Sequence, residues 1–191
     1  MRLFADFSKR HHKSFNLSLS PLHWSSLIVS VGNIGYLPKY HWSHFGALSM
    51  SILPPLVLVG VGAHHNPLAS LLVLVGSCLM AYAALIHIHT HGVDTDHDAS
   101  AIVVDELAGS SMAALAIPTM MHLMGTHTVF DAILCALLVG WLFRFFDIAK
   151  PAPANQMDAL WHHPFSVMAD DLVAGFYAAL LGIGFAAWIN F

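Results

Sequence analysis

Five apolar runs, approximately Phe45 to Gly62, Leu68 to His87, Leu107 to Leu123, Val129 to Phe146 and Leu172 to Phe191, constrain this chain more than any other feature. Each approaches the roughly 20 residues that a helix needs to cross the hydrocarbon of a bilayer. In that medium a single segment can satisfy its backbone polar groups only as a helix. Of the 191 residues, 57% are hydrophobic and 9% charged, whereas about 25% are charged in soluble domains. The expected fold is therefore all-α, a polytopic integral membrane helical bundle of about five spans in a single domain over residues 1–191. Residues 1–19 read as a polar segment. Residues 20–44 read as an interfacial segment, in which Trp24, Tyr36, Tyr40 and Trp42 accompany Gly32, Gly35 and Pro38. Residues 45–191 form the helical core. Pro54 and Pro55 in the first run and Pro118 in the third predict kinks, and the first run is kinked or re-entrant.

Arg2, Lys9, Arg10 and Lys13 place the N-terminus in the cytoplasm by the positive-inside rule. Counting crossings from there puts residues 88–106 and 147–171 on the same, inner face. Of the eleven acids, all but Asp6 and Asp131 lie within or at the edges of those two loops. Carboxylates far apart in sequence are thus expected at one membrane face.

From residue 40 onward, Arg144 and Lys150 are the only Lys or Arg. A charge beside hydrocarbon is costly, so two cations flanking one acid, Asp147, at the end of an apolar run point to a shared use. Asp147 closes its helix against the dipole and needs a cation nearby, which Arg144 three residues earlier can supply as a structural ion pair. Two pairs of acids, Asp105-Glu106 and Asp170-Asp171, each open an apolar run and precede an Ala-Gly step, Gly109 and Gly175. Dipole-favoured capping is one explanation of such pairs. The other is a shared cation site, with the small residues letting the helices approach closely. Hard oxygen donors of this kind suit Mg²⁺, and Arg with Lys beside them suits a phosphate. Metal-assisted phosphoryl chemistry at a membrane surface is the reading that unites them.

Other features are weaker. The chain has no basic face suited to nucleic acid. Cys78 and Cys135 lie inside apolar runs and read as packing residues, as do Ser110 and Ser111. The rival function rests on the fifteen histidines, above all His87, His89, His91 and His97, which would suit a membrane metal-ion transporter or metal-binding protein.

The stretches Asp98 to Gly109, Phe143 to Pro153 and Val167 to Gly175 resemble, in order and spacing, the three core motifs of the phosphatidylglycerophosphatase A family. The resemblance covers roughly residues 30 to 185. It implies a Mg²⁺-dependent enzyme that converts phosphatidylglycerophosphate to phosphatidylglycerol at the cytoplasmic face of the bacterial inner membrane, with a phospholipid as its substrate. It also implies Asp98, Asp105, Glu106, Asp147, Asp170 and Asp171 as acidic site residues and Arg144 and Lys150 as basic ones. Within that set, Asp98, Asp147, Arg144 and Lys150 are assigned here to catalysis, and the last two to the phosphate. Asp105, Glu106, Asp170 and Asp171 are assigned to the metal. Two stretches depart from the family pattern: His162-His163-Pro164-Phe165-Ser166 replaces a glycine-rich segment, and His41-Trp42-Ser43 stands where Pro-Gly-Thr is usual. Another lipid phosphate as substrate, or an inactive paralogue, remains an alternative at this stage.

Overall fold

The computed structural model describes residues 43–62, 65–91, 103–159 and 164–190. All of its regular structure is helical, with no strand among the described residues. The expected segments 1–19 and 20–44 lie outside that set, apart from the first residues of the opening helix. Among the described residues seven helices follow in order: α1 (Ser43–Gly60), α2 (Pro67–His91), α3 (Val104–Ala114), α4 (Ala116–Leu123), α5 (Val129–Ala149), α6 (Ala154–Ala159) and α7 (Pro164–Ile189).

Among the described residues each of the five apolar runs is helical over most of its length, and three helices are long and apolar enough to cross a membrane: Pro67–Ile86, Val129–Ala149 and Met168–Ile189. The other two runs are shorter than the sequence suggested. In α1 the apolar part is Leu48–Gly60, and Pro54 and Pro55 withhold the amide hydrogens that the Met50 and Ser51 carbonyls would receive in an uninterrupted helix. The third run divides at Leu115, whose amide donates to Met112 O at 3.2 Å rather than to a residue four back. Pro118 is the cause. It cannot donate to the Ala114 carbonyl, but it is tolerated in the first turn of a new helix, where no donor is required.

The connections use ordinary local chemistry. Asn66 caps α2 by accepting from the amides of Leu68 at 3.0 Å and Ala69 at 3.3 Å, and Pro67 takes the first helical position, where its fixed φ fits. After α4, Gly125 has a φ of 63°. Its amide donates to His122 O at 3.1 Å while Thr126 N–H donates to Met121 O at 3.1 Å, the paired closure of a Schellman turn. Thr128 then caps α5, accepting from Asp131 N–H at 3.1 Å, and the Asp131 carboxylate accepts from the hydroxyls of Thr126 and Thr128. Thr128 N–H donates to Thr126 Oγ1 at 3.5 Å, so the acid binds the capping hydroxyl rather than the cap's own amide as in a capping box.

Helix α7 is the hub of the bundle. It packs on α3, α5, α6, α4 and α2, while α1 packs on α3 and α5. The core between them is small-residue rich, with Ala113, Ala136, Ala174 and Ala178 around the fully buried Phe143. Burying such a phenyl ring contributes about 1.5–3 kcal/mol. Glycines allow the closest approaches. A Cβ on Gly140 would stand 2.7 Å from Ser51 O, at the proline-interrupted stretch of α1, and one on Gly175 would collide with the carbonyl oxygen of Gly109. The outer faces are apolar: Leu72 and Leu79 of α2, Phe130 and Trp141 of α5, and Leu180 and Trp188 of α7 are all exposed. In water so large an apolar surface would aggregate. Against lipid it is the expected exterior.

One boundary departs from expectation by more than a turn. Helix α7 begins at Pro164 rather than near Leu172, and it has no acid in its first turn. Asp170 and Asp171 are therefore inside the helix, at 7% and 5% relative exposure. They are not caps. Hydropathy reads a pair of acids as the end of a span, but a helix closed in by neighbours can carry them internally when they are paired or share a function.

Candidate active site

Three helices bring their charged ends together. The start of α3 supplies Asp105 and Glu106, the end of α5 supplies Arg144, Asp147 and the capping Lys150, and the second turn of α7 supplies Asp170 and Asp171. The α3–α7 crossing sets the spacing, because Gly109 and Gly175 remove the side chains that would hold the two helices apart. Since each acid pair lies close to its glycine along the chain, the crossing draws both pairs to the same end of the bundle.

Arg144 Nη1 donates to Asp147 Oδ2 at 2.5 Å, one turn along its own helix, and to Glu106 Oε1 at 3.3 Å across to α3. Lys150 Nζ donates to Asp170 Oδ2 at 2.8 Å. The structural ion pair at Arg144 is thus present, and the same guanidinium also reaches an acid from a different motif. Asp105 Oδ1 accepts from Glu106 N–H at 3.0 Å, while the residue ahead of α3, Val103, offers no side-chain cap. Asp171 lies within the electrostatic reach of Asp105, Asp147, Asp170 and Glu106. Asp105 precedes the apolar run that begins at Leu107, and its carboxyl is closed in by protein although the residue keeps some exposed surface. Burial, and then the charges of Glu106 and Asp170, push that carboxyl well above the ordinary carboxylate range.

Five carboxyl groups against two cations leave a surplus of acid in a partly dehydrated cluster. A bound cation is the simplest means of offsetting it. Among the described residues, no three His, Cys, Asp or Glu side chains close around a single point as a preformed metal cage. That pattern still fits Mg²⁺, which keeps much of its water and takes one or two carboxylates together with substrate phosphate oxygens.

Seven of the eight residues singled out from sequence meet at this site; the eighth, Asp98, lies outside the described residues, as do His97 and the side chains of His87, His89 and His91. Ser110 and Ser111 donate their hydroxyls back to Leu107 O, at 3.2 and 2.7 Å, as helix-packing serines do. Cys135 is buried and Cys78 partly so, and both are free thiols. Two features escaped the sequence reading. Lys150 adopts a left-handed conformation, φ 41°, as the C-cap of α5, with its amide donating to Phe146 O at 2.8 Å. Tyr177 donates to Ala152 O at 2.7 Å. Pro151 signals that the helix ends near Lys150 but not the left-handed conformation there, and nothing in the sequence signalled the second.

Lipid-facing helices around a cluster of acids and cations at one end of the bundle define the class: an integral membrane enzyme with a polar centre suited to a charged head group. The sequence pattern of the phosphatidylglycerophosphatase A family matches residues 27–186. The chain belongs to that family and is a phosphatase. It is 28% identical over 173 residues to a phosphatidylglycerophosphatase A of Haemophilus influenzae, covering 90% of this chain and 92% of that protein. It is 30% identical over 112 residues to the phosphatidylglycerophosphatase A of Escherichia coli, covering 59% of this chain and 57% of that protein. No solved structure matches the chain significantly.

Proposed function

We propose that this protein is a Mg²⁺-dependent lipid phosphatase that hydrolyses the phosphomonoester of phosphatidylglycerophosphate to give phosphatidylglycerol, with its site at the cytoplasmic face of the bacterial inner membrane. The observation that carries this reading is the meeting of Arg144 and Lys150 with acids from three helices at one end of an apolar bundle. The name shared by both relatives supports the substrate. The Lys/Arg-rich N-terminus supports the orientation.

Asp105, Glu106, Asp170 and Asp171 are the residues that would hold the metal, in a subset of one or two at a time. When bound there, Mg²⁺ would supply charge neutralisation and a more acidic bound water. Arg144 and Lys150 have a second task. Each is engaged by a carboxylate in the absence of substrate, and each presents its charge to an arriving phosphate dianion by exchanging one anionic partner for another. The planar guanidinium can take two phosphate oxygens at once, whereas the lysine ammonium acts as a point charge. Asp147 orients Arg144 through their short pair. An Asp at this site could also serve as a nucleophile and form an aspartyl-phosphate. A single turnover on substrate carrying labelled phosphate, quenched in acid, distinguishes that route: protein-bound label that hydroxylamine releases marks the covalent route, and label found only in lipid and inorganic phosphate marks direct water attack.

The test of function is release of inorganic phosphate from phosphatidylglycerophosphate by purified protein in detergent micelles, with Mg²⁺ or with a chelator. Hydrolysis that stops on chelation and resumes with Mg²⁺ is expected. Absence of hydrolysis at saturating Mg²⁺ overturns the substrate assignment, and hydrolysis unaffected by chelation overturns the metal assignment.

A further inference from the structure

The turn that follows α5 is held to α7 at two points. Lys150 Nζ reaches Asp170, and two residues later the Ala152 carbonyl accepts from the hydroxyl of Tyr177 at 2.7 Å. Asp170 and Tyr177 are seven residues apart on one helix, two turns of 3.6 residues, and so share a face. A helical side chain leans toward the N-terminus of its helix, which brings the long Tyr177 side chain back toward the acid end. Its ring also packs on Phe146, 5.6 Å between centroids. Phe146 is the residue whose carbonyl closes α5 on the Lys150 amide. Both sides of the turn therefore meet Tyr177.

The turn needs such a clamp. Lys150 is a non-glycine residue at positive φ, a disfavoured conformation that persists only where surroundings impose it. It precedes Pro151, which narrows its options further. Released from α7, the residue would relax toward more favourable backbone angles and carry its ammonium away from Asp170.

We infer that Tyr177 is a positioning residue, whose hydrogen bond to the Ala152 carbonyl holds Lys150 in the left-handed conformation that aims its ammonium at the site. The inference rests on the phosphate-binding role proposed for Lys150, and the two can be separated by experiment. The variant is Tyr177→Phe, which keeps the ring against Phe146 and removes only the donor. Purified in detergent without substrate, it is treated with an amine-modifying reagent. The modification rate of Lys150 is read by mass spectrometry, with Lys39 as internal reference, and KM and kcat are measured alongside.

The expected result is faster modification of Lys150 relative to Lys39, with KM raised roughly three- to tenfold, the worth of one neutral hydrogen bond, and kcat changed by less than about twofold. An unchanged Lys150/Lys39 ratio overturns the inference whatever the activity, including the case where both lysines react faster because the fold has loosened. A raised ratio with unaltered KM instead removes Lys150 from phosphate binding, and the inference falls with that role.

Discussion

Replacing Gly175 with alanine tests whether the α3–α7 crossing builds the site. In a helix interior, glycine to alanine ordinarily stabilises by about 0.5–1 kcal/mol, because alanine has less backbone entropy to lose. At Gly175 the added methyl collides with Gly109 O and comes within 3.0 Å of Met112 Cβ, so backbone rather than a flexible side-chain end must yield. Carbon atoms rest about 3.5–4.0 Å apart, so the helices must part by on the order of 1 Å, a gap that forfeits a quarter to a half of each affected dispersion contact. Overpacking of this kind costs about 1–3 kcal/mol, which outweighs the propensity gain. A net loss of about 1–2 kcal/mol is expected, with a sharp drop in phosphatase activity as Asp170 and Asp171 move away from Asp105 and Glu106. Gly76→Ala is the control, because a Cβ there meets nothing within 4 Å; it should gain up to about 1 kcal/mol and keep full activity. Reversible unfolding in mixed micelles measures both stabilities. If Gly175→Ala shifts stability in the same direction and by the same amount as Gly76→Ala, the crossing is not the close contact described, and the account of how the acids are gathered fails with it.

Asp171→Asn should abolish turnover while the protein still elutes as a single folded species, since Asp171 is internal to α7 and caps nothing; near-normal Mg²⁺-dependent activity would remove it from the site. Ser110→Ala and Ser111→Ala should each retain activity within about twofold and lose at most about 1 kcal/mol, because both hydroxyls bond only their own helix among the contacts seen; a large loss of kcat would show that one of them has a role in the reaction. The raised Asp105 pKa makes a signed prediction for the metal-free protein. Folding favours the protonated carboxyl, so this contribution to stability is complete below the ordinary carboxylate pKa of about 4 and is lost as pH rises through the raised value. Melting temperatures taken from acid to neutral pH should therefore fall with a chelator present and fall less with Mg²⁺, and identical slopes would count against metal binding at Asp105.

The sequence disclosed the class of fold because hydrocarbon admits few solutions, and five apolar runs translate directly into helices. It pointed to seven ionised residues that the fold gathers at one end of the bundle because ionised side chains are scarce in such a chain. Arg144 and Lys150 stood out by being nearly alone, and the acid pairs by the Ala-Gly step that follows each within four residues, at Gly109 and Gly175. The placement of Asp170 and Asp171 was misread because hydropathy cannot distinguish an acid at a helix end from one closed in among neighbouring helices. The split at Leu115 was legible as a kink through Pro118, but the shortening it causes was not. Least legible were the links made by a single polar atom, such as Tyr177 to Ala152, since neither residue type announces the other and no periodicity connects them.

The two ends of the bundle are fastened by different means. At the end remote from the site, the Asn190 side-chain amide donates to Leu123 O, and Thr126 and Thr128 converge on Asp131. These ties join the last turn of α7 to the end of α4 and anchor the start of α5, and none of them uses a Lys or Arg. At the reactive end the fastenings are ion pairs among groups that also suit a metal or a phosphate. The helices thus behave like the tines of a fork clamped at the handle. Charges at the tips have partners that an arriving ion could replace, whereas the stem that fixes helix order is tied by side-chain caps and an amide-to-carbonyl bond.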